Sequence, residues 1–293
     1  MEMTNIAYVQ QINGNNYKTK VFNDPLNKRL RIDDYRGNVC EVIKIAEEMA
    51  VNSKREKLLF ISRQEHYDLL LQHGFHCEAK VDGFFRGSDA YYFTKYYYDK
   101  RRNSNNWVME DGILQRIMNL HGHESHRVIS TQYHLLKMEK SDAIKLSQLY
   151  RQVFKIYPTP LHDPEYIEKT MEGGTIYYGI TNDDEIVSCA SAEINFMYDH
   201  AELTDCATLP DHRKYGLMKK ILEKLETELR VQGIYCVFSI ARAQSYGMNA
   251  VLHQIGFKYR GRLLNNCYIF DKLENMNMWV KDLSIGESEK LTP

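Results

Sequence analysis

Residues 201–232 place the tightest limit on what this chain folds into. Ala201-Glu-Leu-Thr-Asp-Cys-Ala-Thr208 reads as a strand, Pro210 cannot continue a ladder, and Leu217, Ile221, Leu222, Leu225 and Leu229 recur at helical spacing. A strand that feeds a helix through a short loop leaves the first helical N–H groups without intrahelical partners, all aimed at one spot. The helix dipole favours an anion there by about 0.3–1 kcal/mol, and Lys214, Lys219 and Lys220 add positive charge nearby. Gly216 lets a bulky group approach the backbone where a Cβ would stand in the way. The plain alternative is a strand-turn-helix junction with a structural glycine.

The rest of the 293 residues suits two domains, 1–130 and 131–275, followed by a polar tail over 276–293. A net charge of −1 gives no electrostatic case for nucleic acid or an anionic membrane as partner. No apolar run reaches the roughly 18 residues of a membrane span. The N-terminal Met1-Glu-Met-Thr-Asn5 lacks a signal-peptide pattern, so a cytoplasmic protein is expected. Six cysteines without a Cys-x-x-Cys spacing read as reduced core thiols.

In the first domain the spacing predicts a helix over 39–50, a buried strand over 57–62, a helix over 65–73 stopped by Gly74-Phe75, and strands over 76–85 and 90–98. The same order returns later: helix 219–232, strand 234–241, helix 245–255 stopped by Gly256-Phe257, then strands 258–263 and 265–270. Leu69-Leu-Leu-Gln-His-Gly-Phe75 matches Val251-Leu-His-Gln-Ile-Gly-Phe257, which suggests an internal repeat. The first copy has no counterpart of the loop at Arg213, so a structural or substrate-shaping part is expected of it. Its aromatic run Tyr91 to Tyr98, closed by Lys100-Arg101-Arg102, reads as sheet packing or as a platform for stacked bases. His121, His123 and His126 offer imidazoles for zinc, or lie on a solvated interdomain segment; no metal is expected.

From Thr131 the elements read strand, helix, helix, three strands, helix, strand, helix, two strands. With that order, Arg213-x-x-Gly216-x-Met218 resembles the pyrophosphate loop of the GCN5-related N-acetyltransferase (GNAT) family. Glu202-Leu-Thr-Asp-Cys-Ala-Thr-Leu-Pro-x-x-Arg213 resembles, within that family, the β-lysine N6-acetyltransferases. The resemblance implies an α/β (α+β) fold, a mixed central sheet flanked by helices; if the internal repeat is real, the first domain is a degenerate GNAT-like copy. It implies acetyl-CoA as cosubstrate, held in a splay between two strands by Ala207, Leu209, Arg213, Lys214, Tyr215, Gly216, Leu217 and Met218, with Ser245 and Asn249 as further contacts or as helix caps. The chain departs from the family pattern at Met218, where a small residue is usual, and at Leu252, where many members carry a Tyr acid. His253, Tyr246 or solvent then remain as proton donors.

Attack on a thioester needs a neutral amine, yet an alkylammonium is only about one part in 2,500 neutral at pH 7, a cost of roughly 4.6 kcal/mol. A carboxylate that takes the proton lowers that cost. Glu202 matches the family position of the base, against the alternative of an exposed edge charge. Asp205 reads as an anchor for the ammonium, or as a partner of a backbone N–H, Arg213 or Lys214. Strand alternation puts the two on opposite faces unless a bulge intervenes. Glu193, Asp163 in the Pro-rich loop and Asn265 are further acceptor-side candidates, each with a structural alternative: sheet charge, solvated loop, hairpin turn. The implied function is acetyl transfer to the side-chain amine of a small diamino acid such as β-lysine, an osmolyte precursor. The rivals are another amine acceptor or a noncatalytic acyl-CoA-binding regulator, and a homodimer is one assembly left open.

Overall fold

The computed structural model describes residues 7–120, 130–155, 157–269 and 272–285. Its first half runs β1 (Tyr8–Asn13), β2 (Tyr17–Asp24), β3 (Arg29–Gly37), α1 (Val39–Asn52), β4 (Lys57–Arg63), α2 (Tyr67–Gln72), β5 (His76–Phe85) and β6 (Ser88–Tyr96). Two connecting helices follow, α3 (Asp99–Arg102) and α4 (Trp107–Met118). The second half runs β7 (His134–Lys137), α5 (Ala143–Val153), α6 (Pro164–Glu172), β8 (Ile176–Asn182), β9 (Glu185–Asn195) and β10 (His200–Thr208), then α7 (Leu217–Val231), β11 (Cys236–Arg242), α8 (Tyr246–Gln254), β12 (Lys258–Ile269) and β13 (Lys272–Asp282).

All the described strands join one mixed sheet in the order β1-β2-β3-β4-β6-β5-β12-β13-β11-β10-β9-β8-β7. The order is mirrored about its centre. In each half antiparallel strands lead to a parallel crossover through a helix (β3-α1-β4 and β10-α7-β11), a second helix follows, and the last strand inserts beside the crossover strand. The halves meet where Gly261 pairs with Ala79. Gly261 has φ +130°, and a Cβ there would lie 2.2 Å from the Glu78 carbonyl oxygen, so the seam needs glycine.

The sheet curls. Six strand steps separate β4 from β10, roughly 29 Å if laid flat at about 4.8 Å per step. Yet Arg63, at the end of β4, donates to the Tyr198 hydroxyl just before β10 at 2.9 Å, and the His200 ring stacks on Phe84 at 3.7 Å. A hydrophobic cluster drawn from both halves (Leu59, Tyr92, Phe238 and Met278 among it) lines the face so enclosed. Separate cores lie under α1 and around α5 to α8, where α7 buries Leu217, Ile221, Leu222, Leu225 and Leu229 as its spacing predicted. Among the described residues no helix is long and apolar enough to cross a membrane.

Several expectations change. Strands β1 to β3 were not legible, because β1 is almost wholly exposed and the buried positions of β2 and β3 are interleaved with charged residues. The two strands expected over 258–270 are one, β12, with a register break between Leu263 and Cys267 where Asn265 has φ +41°. The start of the expected polar tail is β13, held between β11 and β12, with Met278 and Trp279 fully buried. Among the cysteines Cys40 is exposed, whereas Cys189, Cys236 and Cys267 are buried. His121, His123 and His126, and the last residues of the tail, lie outside the described residues.

Candidate active site

β10 and β11 pair only from His200–Glu202 to Cys236–Phe238. Beyond that point β10 runs to Thr208 and β11 to Arg242 without pairing, so a wedge opens between them. On the other side of β10 the register with β9 breaks between Thr204 and Ala207, and Asp205 takes φ +53°. The extra residue undoes simple alternation. Asp205 thereby turns to the Glu202 side of the strand: its Oδ2 accepts from Ser191 Oγ at 2.8 Å, and Ser191 is two residues from Glu193, the cross-strand partner of Glu202. Glu193, Glu202 and Asp205 therefore share one face.

These carboxylates are hard to ionise. Burial, then the charge on Glu193, pushes Glu202 up to about 8 against the opposing pull of Arg31. Burial and Glu193 likewise push Asp205 up to about 7, opposed by hydrogen bonding from Ser191 and Tyr157. Glu193 is raised by burial and held back by Arg31. Glu193 is nonetheless exposed and Glu202 half-exposed. Crowded by protein yet reached by water, they line a cleft. Tyr157, Tyr166 and Tyr177 feel the Asp205 charge from the second half, and Tyr92 feels Glu202 from the first. Aromatic walls with acidic groups suit an alkylammonium. Among the described residues no three His, Cys, Asp or Glu side chains form a metal site.

At the other end of the wedge, α7 starts at Gly216, which has φ +78° and caps the helix with no side-chain hydrogen bond. The first-turn N–H groups point outward, no acidic residue lies in that turn, and a Cβ on Gly216 would meet nothing within 4 Å. Met218 packs against the core, so its bulk does not close the helix start. Leu217 is buried, while Arg213, Lys214 and Tyr215 are exposed around the opening. Arg213 Nε donates to the Thr208 carbonyl at 3.2 Å. These residues fit a diphosphate. The matching helix start in the first half is closed: Asn38 Oδ1 accepts from the N–H groups of Cys40 and Glu41, and Glu41 puts negative charge in the first turn.

Several other candidates make structural contacts. The Leu209 N–H donates to the Val187 carbonyl at 2.9 Å, and by antiparallel alternation that of Ala207 also faces β9, so beyond the bulge the N–H facing the wedge belongs to Thr208. Asn249, expected to touch the cofactor, donates to the carbonyls of Arg242 and Ser245 and accepts from Asn277 and Trp279, which uses its whole amide. Ser245 lies at the start of α8 with its N–H on Arg242. His253 packs beside the Trp279 ring, centroids 6.2 Å apart. Asp163 caps α6 through the Glu165 N–H. The Asn265 amide donates to the carbonyls of Arg101 and Asn103 at 2.9 Å each, tying β12 to the connecting segment.

Sequence reasoning missed Tyr92 and Arg31, which reach the cleft only because the sheet curls. It also missed Tyr157 and Ser191; Tyr157 stood in the Pro-rich loop, where an aromatic facing a strand carboxylate was a readable signal.

The acetyltransferase (GNAT) family model matches residues 144–257. An N-acetyltransferase of Bacillus subtilis, YodP, is 39% identical over 260 residues, covering 89% of this chain and 94% of that protein. The β-lysine N(6)-acetyltransferase of Methanococcus maripaludis is 32% identical, covering 87% and 93%. That of Methanosarcina mazei is 29% identical, covering 85% and 100%.

Proposed function

The chain belongs to the GNAT family of acetyltransferases, and from that membership we propose that it acetylates the side-chain amine of a small diamino acid, with β-lysine as the first choice. It is an acetyl-CoA-dependent N-acetyltransferase; the acceptor is the part proposed. The observation that carries the proposal is the convergence of Glu193, Glu202 and Asp205 on one face of β10 and β9, where the β10–β11 wedge begins. Two relatives named for β-lysine acetylation support the choice of acceptor.

Acetyl-CoA supplies an acyl carbon activated by its thioester. The first turn of α7 holds the diphosphate, with Arg213 and Lys214 at the rim. Asp205 receives the ammonium. Glu202, with a pKa near 8, takes its proton, directly or through a water, and so leaves the nitrogen lone pair free. The N–H of Thr208 faces the wedge and can bear charge developing on the acyl oxygen.

The test is thiol release from acetyl-CoA with a panel of amines. The proposal expects β-lysine to react faster than α-lysine and spermidine, and a product acetylated on the terminal amine. Equal rates across the panel remove the choice of acceptor, and coenzyme A binding without any amine-dependent release removes the activity.

A further inference from the structure

We propose that Arg31, from the first half of the chain, binds the carboxylate of the acceptor, so that the acceptor site is assembled across the two halves and selects an amino acid over a plain polyamine. The inference rests on the acyl-transfer reading above and adds what the first half is for.

Placement comes from alternation and register. On β3, Leu30 and Ile32 are buried in the core under α1, which turns Arg31 to the opposite face. Arg31 lies beside Leu59 in the parallel β3–β4 register, and Leu59 belongs to the cluster shared by both halves. Glu202 lies beside Phe238 in the β10–β11 register, and Phe238 belongs to the same cluster. Both side chains thus look into the enclosed face from opposite walls, and the Arg63–Tyr198 and Phe84–His200 contacts bring those walls together. The charge on Arg31 is felt at Glu202 and at Glu193.

The guanidinium is fixed but not consumed. Its Nε donates to Asp33, and it lies over the Phe22 ring at 4.9 Å. Among the described residues no ion pair links it to Glu202 or Glu193, and its two terminal nitrogens have no hydrogen-bond partner. The side chain is 30% exposed. One N–H of five is used, and the four that remain form the end-on fork that matches a carboxylate. A cleft with acidic groups on one wall and this fork on the other suits a molecule that carries an ammonium and a carboxylate on one alkyl chain. A polyamine would set a second ammonium against Arg31, which disfavours it.

The test compares acids with their amides. Acetylation of β-lysine and α-lysine and of their carboxamides is measured at saturating acetyl-CoA for the wild type, Arg31→Gln and Arg31→Lys. The wild type is expected to favour each acid by about 10- to 100-fold, chiefly through KM, since the amide lacks the charge that the fork reads. Arg31→Gln is expected to bring that acid-to-amide ratio near one, even as the loss of its pull on Glu202 slows both substrates alike, and Arg31→Lys to restore part of the preference. An acid-to-amide ratio in Arg31→Gln as high as in the wild type, or no preference for the acid in the wild type, overturns the proposal. Should Arg31→Gln fail to fold, an undiminished acid preference in Arg31→Lys overturns it, because lysine keeps the charge and loses the fork. If plain diamines are acetylated as fast as amino acids, this inference falls and acetyl transfer stands. If another amino acid replaces β-lysine with the same dependence on Arg31, the inference stands and the choice of acceptor falls.

Discussion

Glu202 and Asp205 are proposed to have different jobs, proton acceptor and ammonium anchor, although burial and Glu193 make both hard to ionise. Glu202 must be ionised to accept a proton, and its raised pKa means that activity is lost as pH falls through about 8. The kcat/KM profile of the wild type is therefore expected to rise with pH and level off above that value. Glu202→Gln should lose this limb and about 10²–10⁴-fold in kcat. Asp205→Asn should act mainly on the acceptor KM. The same shift has a stability sign. The folded chain binds a proton at Glu202 that the unfolded chain releases from its ordinary value of 4.5, so folding stability falls as pH rises from about 4.5 to about 8. Thermal melts should find Glu202→Gln stabilising above pH 8 and neutral below pH 4.5; stabilisation only at the acid end would contradict the burial account.

At the scale of elements, a β-bulge and an uncapped helix make the site. The α7 pattern, the loop before it and the Gly-Phe stops of α2 and α8 were legible because local spacing and helix-breaking residues are sequence properties. The bulge was foreseen only as a condition, since it depends on how β9 pairs with β10. For Asn249 and Asn265 the sequence left a ligand contact and a structural role both open, because a polar residue in an element looks the same whether it faces a ligand or bonds a neighbouring backbone. Gly216 is the element-level test. At φ +78° an alanine costs about 1–2 kcal/mol and sets a methyl group in the space before the helix start. Gly216→Ala should weaken coenzyme A binding about tenfold by calorimetry, and an unchanged Kd would move the diphosphate elsewhere.

The whole molecule is two halves of like topology with unlike ends. In the second half the gap beyond the parallel pairs is open. In the first the corresponding region beyond Ile32 and Phe60 is filled by its own side chains, with Arg63 donating to the Tyr35 carbonyl and to Asp34, and its helix start is capped by Asn38. One coenzyme A per chain is therefore expected in titration, and two would contradict the closure of the first half. The repeat was visible in Leu69–Phe75 against Val251–Phe257, but the curl that brings Arg31 opposite Glu202 is a property of the assembled sheet, which no stretch of sequence carries. An electron-density map with coenzyme A and β-lysine bound tests the central claim most directly. The account predicts the terminal amine within about 3 Å of Glu202 or Asp205, directly or through one water, with the diphosphate at the start of α7. An amine bound away from both carboxylates would contradict it.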